Sequence, residues 1–214
     1  MFLRKPFRYE FKRFTLVLIA VNFIVFALQC LSGEIAYWIK VLGAMIPRLI
    51  IQNKFIWTFF TYMFIHADFT HIFFNMIGLY MFGIHLERAI GSKEFRLFYF
   101  TCGILSGVLS FVYYYFNNVF SISLIGASGA IYAVMFGFAV CYPRAIIRIW
   151  GIIPVPAPVL VFIYALIELG SQFFGSGSNV AHMTHLFGFF AAWLYFVIRM
   201  GIHPVKIWKD TYRR

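Results

Sequence analysis

A serine at position 128, set in Gly126-Ala127-Ser128-Gly129-Ala130 where an apolar stretch begins, and a histidine at 185, where another begins, are the residues whose types could do chemistry together. A hydroxyl among small residues in an apolar helix is either helix-packing glue or a nucleophile. As a nucleophile it needs a base, and an imidazole that takes its proton and returns it to a leaving amine supplies one. His71 and Asn75 lie four apart and share a helical face, and with the backbone N–H groups that start the helix at Ser128 they are suited to a developing oxyanion. The seven carboxylates are Glu10, Glu34, Asp68, Glu87, Glu94, Glu168 and Asp210; none lies near either motif in sequence, and Glu168 is a distant candidate. A dyad is therefore expected rather than a triad, with the imidazole packed against a ring such as Tyr132, which shares a face with Ser128.

These groups can meet only if helices bring them to one depth. The 214 residues are 63% hydrophobic and 12% charged, the balance of a polytopic membrane protein rather than a water-exposed globule. Windows near the length needed to cross hydrocarbon fall at 14–31, 69–88, 95–116, 127–142, 157–174 and 182–200. The expectation is an all-α, six-helix bundle, with residues 1–13 and 202–214 as basic flanks. Residues 32–68 form the one long connection, mixing apolar runs with scattered charge, and read as half embedded in the interface.

Basic residues set the orientation. Fifteen of the 18 Lys and Arg fall on one side of such a serpentine, leaving Lys40, Arg48 and Lys54 opposite, so both termini are expected in the cytoplasm. A cleaved signal at the first span would break that bias. The net charge of +11 then reflects topology and anionic lipid, and no nucleic-acid partner is expected. Cys30, Cys102 and Cys141 sit in apolar spans at no metal-ligand spacing and read as packing residues. With this orientation spans 2, 4 and 6 run in the same direction, and their first turns carry His71 and Asn75, Ser128, and His182 and His185. A convergent set of intramembrane polar groups is a functional site by default.

The pattern resembles the rhomboid family of intramembrane serine proteases. The motifs that carry the resemblance are His71-Ile72-Phe73-Phe74-Asn75, Gly83 with Glu87 and Gly91 at four-residue steps, Gly126-Ala127-Ser128-Gly129, and His185 with Gly188. The resemblance covers residues 14–201 and implies Ser128 as nucleophile, His185 as base, His71 and Asn75 as oxyanion stabilisers, and Tyr132 and Gly126 as orienting residues. It further implies transmembrane-helix proteins as substrates, admitted laterally between spans 2 and 5, a lipid bilayer as solvent, no cofactor, and a bacterial inner membrane as the location. Span 5 and the loops around 117–125 and 173–180 are the expected mobile elements. Thr184 and Ala192 stand where the family's sixth-helix motif has alanine and glycine, and Thr58 follows Trp57 where many members have arginine.

Blander roles weigh against several residues. His182 reads as a neighbour lining the cavity, His66 and Asp68 as capping or solvating the start of span 2, and Glu87 as a helix-end anchor. A zinc site at His182, His185 and His71 would lack the glutamate base of an HExxH motif. The rival function is a catalytically silent family member that binds and escorts membrane proteins; such members usually lack the nucleophile or the base, and this chain keeps both.

Overall fold

The structure, a computed structural model, describes residues 7–31, 33–149, 151–174 and 179–213. Helices occupy all six apolar windows. In chain order they are α1 (Phe14–Gln29), then the short α2 (Glu34–Gly43), α3 (Pro47–Asn53) and α4 (Thr58–Thr61) in the long connection. A rod follows, in which α5 (Phe69–Gly78) and α6 (Ile84–Ile90) are joined by a π-helical turn at Leu79–Gly83. Next come α7 (Ser92–Phe116), α8 (Ser128–Cys141), α9 (Ala157–Phe174), α10 (Asn179–Tyr195) with a π turn at Phe196–Met200, and α11 (Pro204–Tyr212). Phe69–Ile90, Ser92–Phe116 and His182–Met200 are each long and apolar enough to cross a bilayer, and Phe14–Gln29, Ser128–Cys141 and Ala157–Gln172 are shorter apolar helices. The chain is an integral, multi-pass membrane protein.

At the centre is α8. Every residue from Gly129 to Val140 is buried except Tyr132, and the helix is packed by α7, α9, α10 and the α5–α6 rod. Its glycines and alanines make this crowding feasible, because small side chains let backbones approach. The tightest approach joins α8 to α10, where a Cβ placed on Gly188 would stand 2.2 Å from the Gly129 carbonyl oxygen. A helix of 14 residues is about 21 Å long at about 1.5 Å per residue, shorter than the roughly 30 Å of a bilayer's hydrocarbon, and α8 is sheathed by its neighbours.

Buried carboxylates fasten the far end of the rod. Glu87 is fully buried and accepts from the backbone N–H of Phe14 (2.6 Å) and Thr15 (2.8 Å), the Thr15 hydroxyl (2.7 Å) and the Ser92 hydroxyl, so it caps the first turn of α1. Glu94, also fully buried, accepts from Arg199 Nε (3.0 Å), Arg199 Nη2 (3.1 Å) and the Tyr195 hydroxyl (2.5 Å), joining the start of α7 to the end of the sixth apolar helix. The anchoring role expected of Glu87 is thus performed from inside the core rather than at the surface.

Three features depart from a bare bundle. Residues 146–149 and 153–156 pair as an antiparallel hairpin, β1 (Ile146–Ile149) and β2 (Ile153–Pro156), in the connection before α9 of an otherwise all-helical membrane protein. The signal was the isoleucine-rich run broken by Gly151, which sits at φ +74° in the turn; Pro154 and Pro156 fit because a two-stranded ribbon is all edge. The basic tail is a helix docked on the core, Trp208 Nε1 donating to the Ala139 carbonyl (2.9 Å) and the Tyr212 hydroxyl to that of Pro143 (2.6 Å). In the long connection, Trp57 Nε1 donates to Leu42 O (2.9 Å) and the buried Thr58 hydroxyl to Phe55 O (2.5 Å), so Thr58 supplies its own packing.

Candidate active site

Ser128 is the first residue of α8, and its hydroxyl owes its position to the turn before it. Gly126 adopts φ +110°, a conformation costly for any residue with a Cβ, and its N–H donates to the Tyr62 carbonyl at 2.9 Å. Among the described residues no side chain caps α8, so its first-turn N–H groups are free to meet an anion. His185 lies on α10 at the level set by the Gly129–Gly188 contact, and its Nε2 stands 2.8 Å from Ser128 Oγ. Its imidazole is stacked on the Tyr132 ring, with centroids 4.1 Å apart and planes 9° apart. The serine and histidine, 57 residues apart in sequence, therefore share a hydrogen bond across which a proton can pass.

His71 and Asn75 stand on α5. Asp68 caps that helix, its Oδ1 accepting from the His71 N–H at 2.8 Å, which is the capping role expected of it. His71 Nδ1 accepts from the Ala67 N–H at 3.4 Å, which leaves the proton of a neutral ring on Nε2. That Nε2 would be 2.6 Å from a Cβ on Gly126, so the glycine is what lets the imidazole edge approach the segment leading to Ser128. The Asn75 amide donates to the His71 carbonyl at 2.8 Å and is mostly buried. His66 is not solvated as expected: it is 1% exposed, packed edge-on against the His71 ring, with its backbone N–H donating to Gln29 Oε1 at 3.2 Å. Burial and the neighbouring His71 hold its imidazole down at about 4, so it is neutral at physiological pH.

Distance along the chain misled on Glu168. From α9 its Oε1 stands 2.9 Å from His185 Nδ1 and its Oε2 stands 2.5 Å from His182 Nδ1, while the Tyr132 hydroxyl donates to Oε1. The signal was available: a lone carboxylate in Leu166-Ile167-Glu168-Leu169 is costly in a membrane span unless partners hold it. His182, expected as a neighbour lining the same cavity, shares this carboxylate with His185. Residues 175–178 of the loop at 173–180, expected as a mobile cap, lie outside the described residues.

A helical membrane bundle here presents a serine to a histidine at a small-residue turn. A Rhomboid domain model matches residues 53–201. The chain is 29% identical over 180 residues to the putative rhomboid protease YdcA of Bacillus subtilis, covering 84% of this chain and 83% of that protein. To the rhomboid protease GluP of the same organism it is 31% identical over 183 residues, covering 84% of this chain and about a third (34%) of GluP. The rhomboid protease GlpG of Haemophilus influenzae is 27% identical over 133 residues, 61% of this chain and 64% of GlpG. The chain belongs to the rhomboid family and is a homologue of its intramembrane proteases.

Proposed function

We propose that this protein is an intramembrane serine endopeptidase that hydrolyses a peptide bond in or near a transmembrane helix of another protein. Ser128 attacks the scissile carbonyl as His185 Nε2 takes its proton; His185 then protonates the leaving amine, and water activated by the same imidazole resolves the acyl-enzyme. The Nε2–H of His71, the Asn75 amide and the first N–H groups of α8 receive the oxyanion. One donor of this kind typically contributes about 2.7–4 kcal/mol to the transition state. The observation that carries the reading is the 2.8 Å separation of Ser128 Oγ and His185 Nε2. It is supported by the protease relatives and by the missing Cβ at Gly126, which leaves room for the His71 ring.

In the same reading six helices cross the membrane, both termini are cytoplasmic, and the site opens toward the outer face of a bacterial inner membrane. Substrate helices arrive laterally from lipid, between the α5–α6 rod and α9. The test is cleavage of single-span fusion proteins, with small residues near the outer end of the helix, by the purified protein in lipid vesicles. Wild type is expected to cut and Ser128→Ala is not. A folded wild type that binds such helices and cuts none would instead make it an escort of membrane proteins.

A further inference from the structure

Glu168 is one buried ionisable group for which a two-residue mechanism has no use. It sits on α9, outside every motif named above, with its side chain 7% exposed. Both oxygens are engaged: Oε1 by His185 Nδ1 at 2.9 Å and by the Tyr132 hydroxyl, Oε2 by His182 Nδ1 at 2.5 Å. The partners come from two helices, Tyr132 from α8 and both histidines from α10, so the carboxylate is fixed in place from two sides.

We propose that Glu168 is a positioning residue for the proposed serine hydrolysis, the third member of a Ser128–His185–Glu168 triad, with Tyr132 and His182 clamping it. The inference rests on the serine-protease reading above. A carboxylate at Nδ1 only accepts, so the neutral imidazole must carry its proton there, which leaves the Nε2 lone pair facing Ser128 Oγ. When Nε2 takes the serine proton, the ring becomes an imidazolium with an anion 2.9 Å from its other nitrogen, in a site where little water weakens the attraction. The proton does not move on to Glu168; it returns from Nε2 to the leaving amine. Tyr132 thus has two roles, its ring lying under His185 and its hydroxyl holding the acid that orients His185. The titratable groups around the histidine are Tyr132 on α8, Glu168 on α9, His182 on α10 and, across Gly126, His71 on α5.

The experiment compares wild type, Glu168→Gln, Glu168→Asp and Ser128→Ala in vesicles, measuring kcat, KM and the pH dependence of kcat on one transmembrane substrate, with thermal unfolding as the folding control. Glu168→Gln should lower kcat by at least about tenfold with KM nearly unchanged. The acidic limb of its pH profile should move to lower pH, because an imidazole without its anion protonates less readily. Glu168→Asp should recover part of both effects. Should the glutamine variant fail to fold, the aspartate variant carries the test, since it keeps the charge and withdraws it by about one methylene; a lowered kcat with a displaced acidic limb is then expected. A folded Glu168→Gln, or in its absence a folded Glu168→Asp, with wild-type kcat and pH profile overturns the proposal. Absence of any Ser128-dependent cleavage in wild type would instead overturn the protease reading on which it rests.

Discussion

The Tyr132 ring lies flat on the imidazole of His185, 4.1 Å between centroids and 9° between planes, and so fixes the plane in which Nε2 meets Ser128. A face-to-face contact of this kind is worth about 0.5–1.5 kcal/mol beyond the area it buries. Replacing Tyr132 by alanine should therefore lower kcat roughly 2- to 12-fold through loss of the ring alone. Tyr132→Phe keeps the ring and should retain more activity than Tyr132→Ala; equal kcat values for the two would show that the stack does not position the base.

Close approach of α8 and α10 depends on Gly188. A methyl there would meet the Gly129 carbonyl at 2.2 Å, and backbone cannot rotate away as a side chain can. Gly188→Ala should separate the helices and destabilise the fold by about 1–3 kcal/mol, seen as a lower Tm in detergent. Since Ser128 and His185 are carried by these same helices, activity should fall further than stability does. An unchanged Tm would mean that the two backbones are not in contact.

Gly126 makes two demands on one position, a φ of +110° and room for the His71 ring. Alanine there costs about 1–3 kcal/mol from the backbone conformation alone, and its Cβ would displace the imidazole edge. Gly126→Ala should reduce kcat with less effect on KM in steady-state assays. A raised KM with kcat unchanged would argue against His71 as an oxyanion donor.

The core was legible because the signals were local or periodic. Six apolar windows marked the helices, and the glycines of the motifs marked where helices touch. Ser128 begins α8, while His71 and Asn75 lie in the first two turns of α5 and His185 in the second turn of α10, so a shared helix direction was the clue that pointed to one depth. Glu168 was not legible in that way: it sits in mid-helix on α9, and only the rotation of that helix, set by packing against α8 and α10, turns it toward His185. The hairpin at 146–156 was missed for a different reason, since a short isoleucine run between spans has no period long enough to separate strand from loop. His66 was misplaced because burial of a loop residue follows from what folds over it.

Stability should fall in acid because of His66. Its folded-state value of about 4 lies below the ordinary 6.5, so the unfolded chain binds the proton more readily between these values. The contribution is present in full above about pH 6.5 and is lost as pH falls toward 4. Thermal unfolding in detergent should show this slope in wild type, and His66→Phe should flatten it. A slope of the same size in the variant would assign the acid sensitivity elsewhere.

At the far end of the rod, Glu87→Ala should strand the N–H groups of Phe14 and Thr15 inside the protein. Buried groups left unsatisfied cost about 1–3 kcal/mol. Unfolding measurements should show a loss of at least that size with Ser128 still reactive in the folded fraction; a neutral substitution would mean that α1 is held by its apolar face alone.

The central claim is that Ser128 is an activated nucleophile, and it can be tested without knowing a substrate. Purified protein in detergent is treated with a fluorophosphonate probe, and the modified residue is located by mass spectrometry in wild type, Ser128→Ala and His185→Ala. Wild type should be labelled at Ser128, and neither variant should be labelled there. No labelling of a folded wild type, or labelling that persists when Ser128 is alanine, would contradict it.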